Sequence, residues 1–268
     1  MPTVLTFVVP IRHPDNARDW SKVRSNLTAT LASIAAQNHP AWRAVVVANH
    51  GSDLPPMPKG VEIAWVDFPP NAQHDIKTHG RMTALESVRL DKGRRVLAGM
   101  LGIRDTRFYM VVDDDDFVSN RLVDFVSKNQ TANGWRIYDG YVWTDGGRWL
   151  YRHDHFCQNC GTSLIIRADL YHLPQTASDA TEDYVKTMMG SHIVISDVLE
   201  SRNTPLAPLP FSGAIYRIGN PVSHSGKSSI WNFFFFSPKF KRTPLIPLRN
   251  LSRLRLLNRK VRKEFFGA

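Results

Sequence analysis

Cysteine is nearly absent from this sequence, with two in 268 residues. Two are too few to staple a secreted scaffold, and their scarcity points to a reducing compartment. Long apolar runs are missing as well: no stretch approaches the ~20 residues that a membrane span requires. The opening "MPTVLTFVVPIRHP" lacks a basic leader region and reads as a strand rather than a signal peptide. A cytoplasmic chain is therefore the expectation. Internal repeats are also absent. Acids are missing from one region in particular. From Lys227 onward there are eleven basic residues and a single acid, Glu264, so the net charge of +10 resides in the tail. Residues 1–226 sum to zero.

What remains is an ordinary globular composition, 43% hydrophobic and 22% charged, in a chain long enough for a sizeable core. "TVLTFVV" (3–9), "WRAVVVANHGSD" (42–53), "VEIAWVDF" (61–68) and "RFYMVV" (107–112) are short, β-branched apolar runs that predict strands. Between them, Val23, Leu27, Leu31 and Ile34 fall at helical spacing, and residues 81–102 predict a second helix. Strands alternating with helices predict an α/β fold, a mostly parallel sheet covered on both faces. Ligands of such sheets bind at the carboxyl ends of the strands, so the loops after Val9, Val47 and Val112 should share one rim. Further on, a hairpin is expected around Asp145-Gly146-Gly147, with strands at "TSLIIR" and "GAIYRI" and a helix near 181–190. These read as an acceptor-side half (119–226) built on the same sheet as residues 1–118.

The most unusual stretch is "FYMVVDDDDFVS" (108–119), where a buried strand runs into four aspartates. Carboxylates crowded at a strand end suit a hard divalent cation, which commonly takes one or two carboxylates plus substrate phosphates. If the segment is extended, alternate residues point the same way, so Asp113 and Asp115 converge while Asp114 and Asp116 turn aside. A solvated acidic loop is the plainer reading.

"TFVVPIR", the following helix, "WRAVVVANHGSD" and "KGRRVLAGML…RFYMVVDDDD" together resemble the inverting, family 2 type glycosyltransferases of GT-A fold, over roughly residues 3–226. The resemblance implies a Rossmann-like sheet and a D-x-D motif that holds a nucleotide sugar. Asp113 would contact the ribose, and Asp115, with Asp113, would hold Mn²⁺ or Mg²⁺ on the diphosphate; Asp114 and Asp116 are substitutes. It places Pro10 and Arg12 near the base and ribose. Asn49 stands where the family usually carries an acidic pair, and Lys92 and Arg94 would supply basic contacts. It makes "TED" the source of the general base, Asp183 ahead of Glu182, although Thr181 followed by acids is also a helix cap. His224 would complete the metal or diphosphate site, with Lys227 beside it. The resemblance implies a reaction that moves a hexose from a UDP-linked donor to a hydroxyl of a glycan or lipid-linked acceptor. The alternative is a nucleotide- or glycan-binding protein on the same scaffold without chemistry. A nucleotidyltransferase is disfavoured, because no Gly-rich triphosphate loop follows the first strand.

Two features lie outside that resemblance. "RHDHFCQNC" brings together His153, His155, Cys157 and Cys160, which have the ingredients of a zinc site but crowd all four ligands into eight residues; packing beside the acceptor pocket is the competing reading. In the basic tail (227–268), Leu251, Leu254, Leu257, Val261 and Phe265 recur at helical spacing behind "WNFFFF". An amphipathic helix on an anionic membrane surface, through residues 231–268, is the first expectation, at the inner face of the membrane. Packing on the parent domain comes second and nucleic acid third.

Overall fold

The computed structural model describes residues 2–219, 229–236 and 245–267. Its centre is a seven-stranded sheet in the order β10-β6-β9-β4-β1-β2-β3. The strands are β1 (Leu5–Pro10), β2 (Trp42–Asn49), β3 (Val61–Val66), β4 (Phe108–Val111), β6 (Gly134–Arg136), β9 (Leu164–Arg167) and β10 (Ala207–Pro208). β1 runs parallel to both β2 and β4, with Val8 opposite Val45 and Val111, and β3 continues the parallel set. β9 is antiparallel to β4 and β6. A mostly parallel sheet with helices on both faces is the expected arrangement.

The side-chain alternation shows why these runs are apolar throughout. Phe7, Val9, Val46 and Met110 pack on one face with Val23, Leu27, Leu31 and Ile34 of α1 (Trp20–Ala35). Val8, Val45, Val47 and Tyr109 pack on the other with Val96, Leu97 and Met100 of α2 (Arg81–Gly102). A strand buried on both faces can spare no polar position. Close approach of α2 depends on Gly99, where a Cβ would lie 2.7 Å from Val47 Cγ2.

The second half departs from expectation. Only β6, β9 and β10 join the central sheet. The predicted hairpin, β7 (Asp139–Thr144) and β8 (Trp149–Asp154), belongs to a second, five-stranded sheet in the order β12-β8-β7-β11-β5, with β5 (Phe117–Val118), β11 (Ala214–Ile218) and β12 (Leu254–Leu256).

That second sheet explains the tail. One face (Phe117, Trp143, Leu150, Ile215) is covered by Leu257 and Phe265, and the other (Val142, Tyr151, Ile218) by Ile230, Phe234 and Phe235. The continuous amphipathic helix expected over 251–265 is therefore corrected. Leu254–Leu256 forms β12 against β8, and Asn258 then caps a separate helix, Arg259–Phe265. Leu257, Phe265, Phe234 and Phe235, expected to meet a membrane, are spent inside the protein. Fully burying each such side chain stabilises by about 1.5–3 kcal/mol, which a continuous surface helix would forgo. Among the described residues, no helix is long and apolar enough to cross a membrane.

Candidate active site at the aspartate turn

β1, β2 and β4 end at one rim, and the four aspartates leave it as a tight turn. The Asp116 amide donates to the Asp113 carbonyl at 3.1 Å, so the segment is folded rather than extended and the expected alternation does not apply. Thr30 of α1 pins the turn from below, its hydroxyl lying 3.0 Å from the Asp114 carbonyl and 2.8 Å from that of Asp116.

The four carboxylates have different surroundings. Asp116 points inward, 1% exposed, and accepts from Thr162 Oγ1 (2.7 Å), Cys160 Sγ (3.2 Å) and the Arg217 amide (3.1 Å). Burial, reinforced by the Asp113 charge, pushes its pKa up to about 7 against those donors. These protein donors make Asp116 a structural group. Asp113 is ion-paired with Lys92 of α2, and its amide donates to Thr162 Oγ1 at 2.9 Å. Burial opposes its ionisation, but Lys92, with His192 and Arg12, outweighs burial and holds it below the ordinary carboxylate range. Gly161 makes room for this pair: a Cβ there would stand 2.7 Å from Asp113 Oδ2 and 3.0 Å from Lys92 Nζ.

Asp114 and Asp115 are 8% and 9% exposed. Burial raises both, Asp115 well above the usual range because Asp116, Asp114 and Asp113 all surround it and Arg12 is the main opposing charge. The turn thus contains an oxygen-rich pair short of positive charge. That donor set fits Mg²⁺ or Mn²⁺ bound through one or two carboxylates with a diphosphate completing the shell. It is not a closed cage: among the described residues no group of three or more His, Cys, Asp or Glu side chains is arranged to hold a metal. Of the four side chains weighed for zinc, three have hydrogen-bond partners in the protein. His153 Nε2 bonds Asn159, His155 Nε2 bonds Tyr138, Cys160 bonds Asp116, and both cysteines are free thiols.

The other expected residues are dispersed. Pro10 closes β1, buried and in register with Val47. Arg12, two residues on, is half-buried and acts on Asp113, Asp114 and Asp115. Asn49, expected at a base edge, is 5% exposed with both ends of its amide engaged: Oδ1 accepts from Arg95 Nη1 (2.8 Å) and Nδ2 donates to the Phe68 carbonyl (2.6 Å). Lys92 and Arg94 are two apart on a helix and cannot share a face. Lys92 joins the turn, whereas Arg94 is exposed on an open groove of about 330 Å³ that it shares with Glu182 and Phe68.

Glu182 and Asp183 are exposed in a short helical turn, Glu182–Tyr184, whose cap is Thr181 accepting from the Tyr184 amide at 3.2 Å. Glu182 pairs with Lys186 at 2.7 Å, which lowers its pKa. The turn lies against α2 at Gly93, where a Cβ would meet the Val185 carbonyl at 2.6 Å. His224 and Lys227 lie outside the described residues.

Sequence reasoning missed Thr162, Gly161, Arg217 and His192. "CGTSL" was legible as a strand entry, but nothing local announces that its threonine bridges two aspartates. His192 opens α3 (His192–Ser201), and burial followed by the Lys92 charge depresses its pKa to about 4. Its Nε2 is buried without a hydrogen bond among the described residues, and it lines a cavity of about 30 Å³ with Lys92, Val111 and Gly161.

No family model matches the chain, and no curated protein matches it. Solved structures do. A Staphylococcus aureus TarS fragment (1–349) aligns at 11% identity and TM-score 0.44, over 80% of this chain and 60% of that one. Mycobacterium tuberculosis H37Rv Rv0371C, in complex with manganese, aligns at 8% and 0.36, over 81% and 92%. A proposed nucleotide-diphospho-sugar transferase from Desulfovibrio desulfuricans G20 aligns at 10% and 0.38, over 91% and 90%. The chain spans 60% of the TarS fragment and 37% of a longer TarS structure. Likenesses this distant do not say which residues act.

Proposed function

We propose that this chain is a metal-dependent, inverting glycosyltransferase that takes a UDP-linked hexose as donor and a hydroxyl of a glycan or lipid-linked molecule as acceptor. The observation that carries the reading is the aspartate turn itself: four carboxylates on the rim of a parallel sheet, three of them buried, with Asp113 paired to Lys92 and Arg12 the main cation acting on Asp114 and Asp115. Lys92 keeps Asp113 ionised, so its carboxylate can accept from the ribose hydroxyls. Arg12 offers a cation to the diphosphate on the same rim. Asp115, with Asp114 beside it, would hold the metal, whose chemistry is to stabilise charge on the departing nucleoside diphosphate as a Lewis acid. This revises the ligand set expected from the sequence, since Asp113 is committed to Lys92.

The acceptor oxygen attacks the anomeric carbon as the bond to the diphosphate breaks, and its proton passes to a general base. The family resemblance assigns that role to Asp183, and the pairing of Glu182 with Lys186 supports the choice between the two. The exposure of Asp183 and the internal use of the Asn49 amide favour one competing reading, a nucleotide-binding protein without transfer.

The deciding experiment is thermal unfolding with UDP, with and without Mn²⁺. A rise that needs the metal and vanishes in Asp115→Asn is expected, reaching about 2.7 kcal/mol at a hundredfold excess over Kd. A panel of nucleoside diphosphates giving no metal-dependent rise refutes the donor site. A metal-dependent rise in Asp183→Asn with transfer lost supports the base, whereas full transfer by that variant removes it. Donor binding without transfer to any hydroxyl acceptor or water establishes the competing reading.

A further inference from the structure

The tail brings more positive charge to the second sheet than the sheet neutralises. Arg255 of β12 is in register with Leu150 of β8, so it lies on the sheet face that the helix Arg259–Phe265 covers. With Lys260 of that helix, Arg121, Tyr141, Ser212 and Glu264, it lines one cleft of about 320 Å³. A second groove of about 330 Å³, lined by Asp139, Arg152, Asp154 and Arg253, adjoins it through the shared Arg255. Ion pairs account for every acid in the two: Asp139 with Arg152 at 2.7 Å, Asp154 with Arg253, and Glu264 with Arg121 at 3.8 Å. Arg255 and Lys260 are left over. Both are exposed, Arg255 donates only to the Ser252 and Leu254 carbonyls, and neither has an acid partner among the described residues. The Tyr141 and Ser212 hydroxyls make no hydrogen bond among the described residues either. Glu264 accepts from Ser119 Oγ at 2.7 Å, so the cleft is held by the segment that leaves the aspartate turn.

Two unmatched cations around one concavity repel each other, and the concavity concentrates their field. An anion entering it removes that repulsion, and the charge count selects which. A carboxylate brings a single charge, whereas a phosphate monoester brings about −1.5 to −2 at neutral pH, which matches the pair. Arginine adds a fork that fits two phosphate oxygens, with lysine as a point charge beside it. We infer that this cleft binds a phosphorylated saccharide, with Arg255 and Lys260 on the phosphate and the Tyr141 and Ser212 hydroxyls on the sugar. Its volume is that of a small-molecule site. That the phosphate belongs to a saccharide rests on the transferase reading, in which this molecule is an acceptor. A nucleic-acid backbone brings only one charge per phosphate, and the Tyr141 ring that a base would stack on is engaged with Phe265, 5.9 Å between centroids.

The test is titration calorimetry of the full chain without nucleotide or metal, so its outcome is independent of the donor site. The probes are hexose phosphates (those of glucose, mannose and N-acetylglucosamine), the free sugars and inorganic phosphate. At least one hexose phosphate is expected to bind, its free sugar not to, and inorganic phosphate to bind about tenfold more weakly for want of the sugar contacts. Arg255→Gln and Lys260→Gln should each weaken binding about tenfold. Arg262→Gln, which removes an exposed cation of the same helix outside the cleft, should leave it unchanged. All three positions are exposed, so melting temperatures should stay unchanged. No binding of any hexose phosphate at millimolar concentration overturns the proposal. So does binding indifferent to both cleft variants, or weakened as much by Arg262→Gln, since either marks diffuse charge. Inorganic phosphate binding as tightly as the best hexose phosphate refutes the saccharide contacts. Tighter binding of a DNA oligonucleotide, lost in the same variants, makes the cleft a nucleic-acid surface instead.

Discussion

Replacing Lys92 by methionine removes the ammonium bonded to Asp113 while keeping a side chain of similar length. The side chains of Lys92 and Asp113 are 27% and 30% exposed, so the pair lies between the surface and core limits. Breaking a fully buried pair costs about 3–5 kcal/mol because one charge stays behind uncompensated. Exposed pairs contribute under about 1 kcal/mol. For the intermediate position a loss of ~2 kcal/mol is expected, a drop of a few degrees in Tm for a chain of this size. The surroundings push it upward, because Asp114, Asp115 and Asp116 repel the abandoned carboxylate. Asp113→Asn in the Lys92→Met background should recover part of that loss, since it removes the orphaned charge. Urea unfolding of wild type, both single variants and the double variant closes the cycle, and a coupling of ~1–2 kcal/mol is expected. Additive losses, within about 0.5 kcal/mol, would show that Lys92 and Asp113 act independently. The reasoning that gives Asp113 its charge would then fail.

Three further outcomes follow from the same geometry. Gly161→Ala places a methyl 2.7 Å from Asp113 Oδ2, so it should cost about 1–3 kcal/mol and weaken UDP binding; unchanged calorimetric affinity would contradict the close packing. Asp145 accepts from Lys22 (2.9 Å) and Arg217 (2.7 Å), and these bonds outweigh burial to lower its pKa. Its contribution is therefore full above its unfolded pKa of about 4 and lost as pH falls through the folded value; Asp145→Asn should flatten the acid limb of the stability curve, and an unchanged limb rejects the assignment. Phe265 is 1% exposed between the second sheet and the tail helix, so Phe265→Ala should destabilise by about 3–5 kcal/mol in urea unfolding, and a loss under about 1 kcal/mol would mean the tail is not part of the core.

The central sheet was legible because its evidence is local. "TFVV" and "AVVV" alternate between two apolar faces, and such runs fit few structures besides a strand covered on both sides. The aspartates were legible as a cluster at a strand end, but the shape of the turn was not. What pulls Asp116 inward comes from Cys160, Thr162 and Arg217, which are 44, 46 and 101 positions away. Lys92 and Arg94 looked interchangeable in "DKGRR", and only their rotation about the helix axis separates them. The helical spacing in the tail was real over Arg259–Phe265, yet its partner is a second sheet that no local pattern announced.

These long-range contacts give the turn its chemistry. A four-acid loop free in water would keep all its carboxylates ionised and bind a divalent cation weakly, through any of them. Here Thr162 sits between two of the four, accepting from the Asp113 amide and donating to the Asp116 carboxylate, which fixes the turn at both ends. Lys92 compensates the first carboxylate, and the hydroxyl, thiol and amide donors stabilise the last. The shortage of positive charge is thereby concentrated on Asp114 and Asp115. The tail holds the far side: Phe266 packs on Phe117 at 4.5 Å between ring centroids, and the Asn120 amide donates to the Glu264 carbonyl at 3.0 Å. Phe117 directly follows Asp116, so the C-terminal helix supports the segment that carries the aspartates. The tail that sequence reasoning set apart as a separate basic appendage is, by its packing, part of the frame on which the candidate site is built.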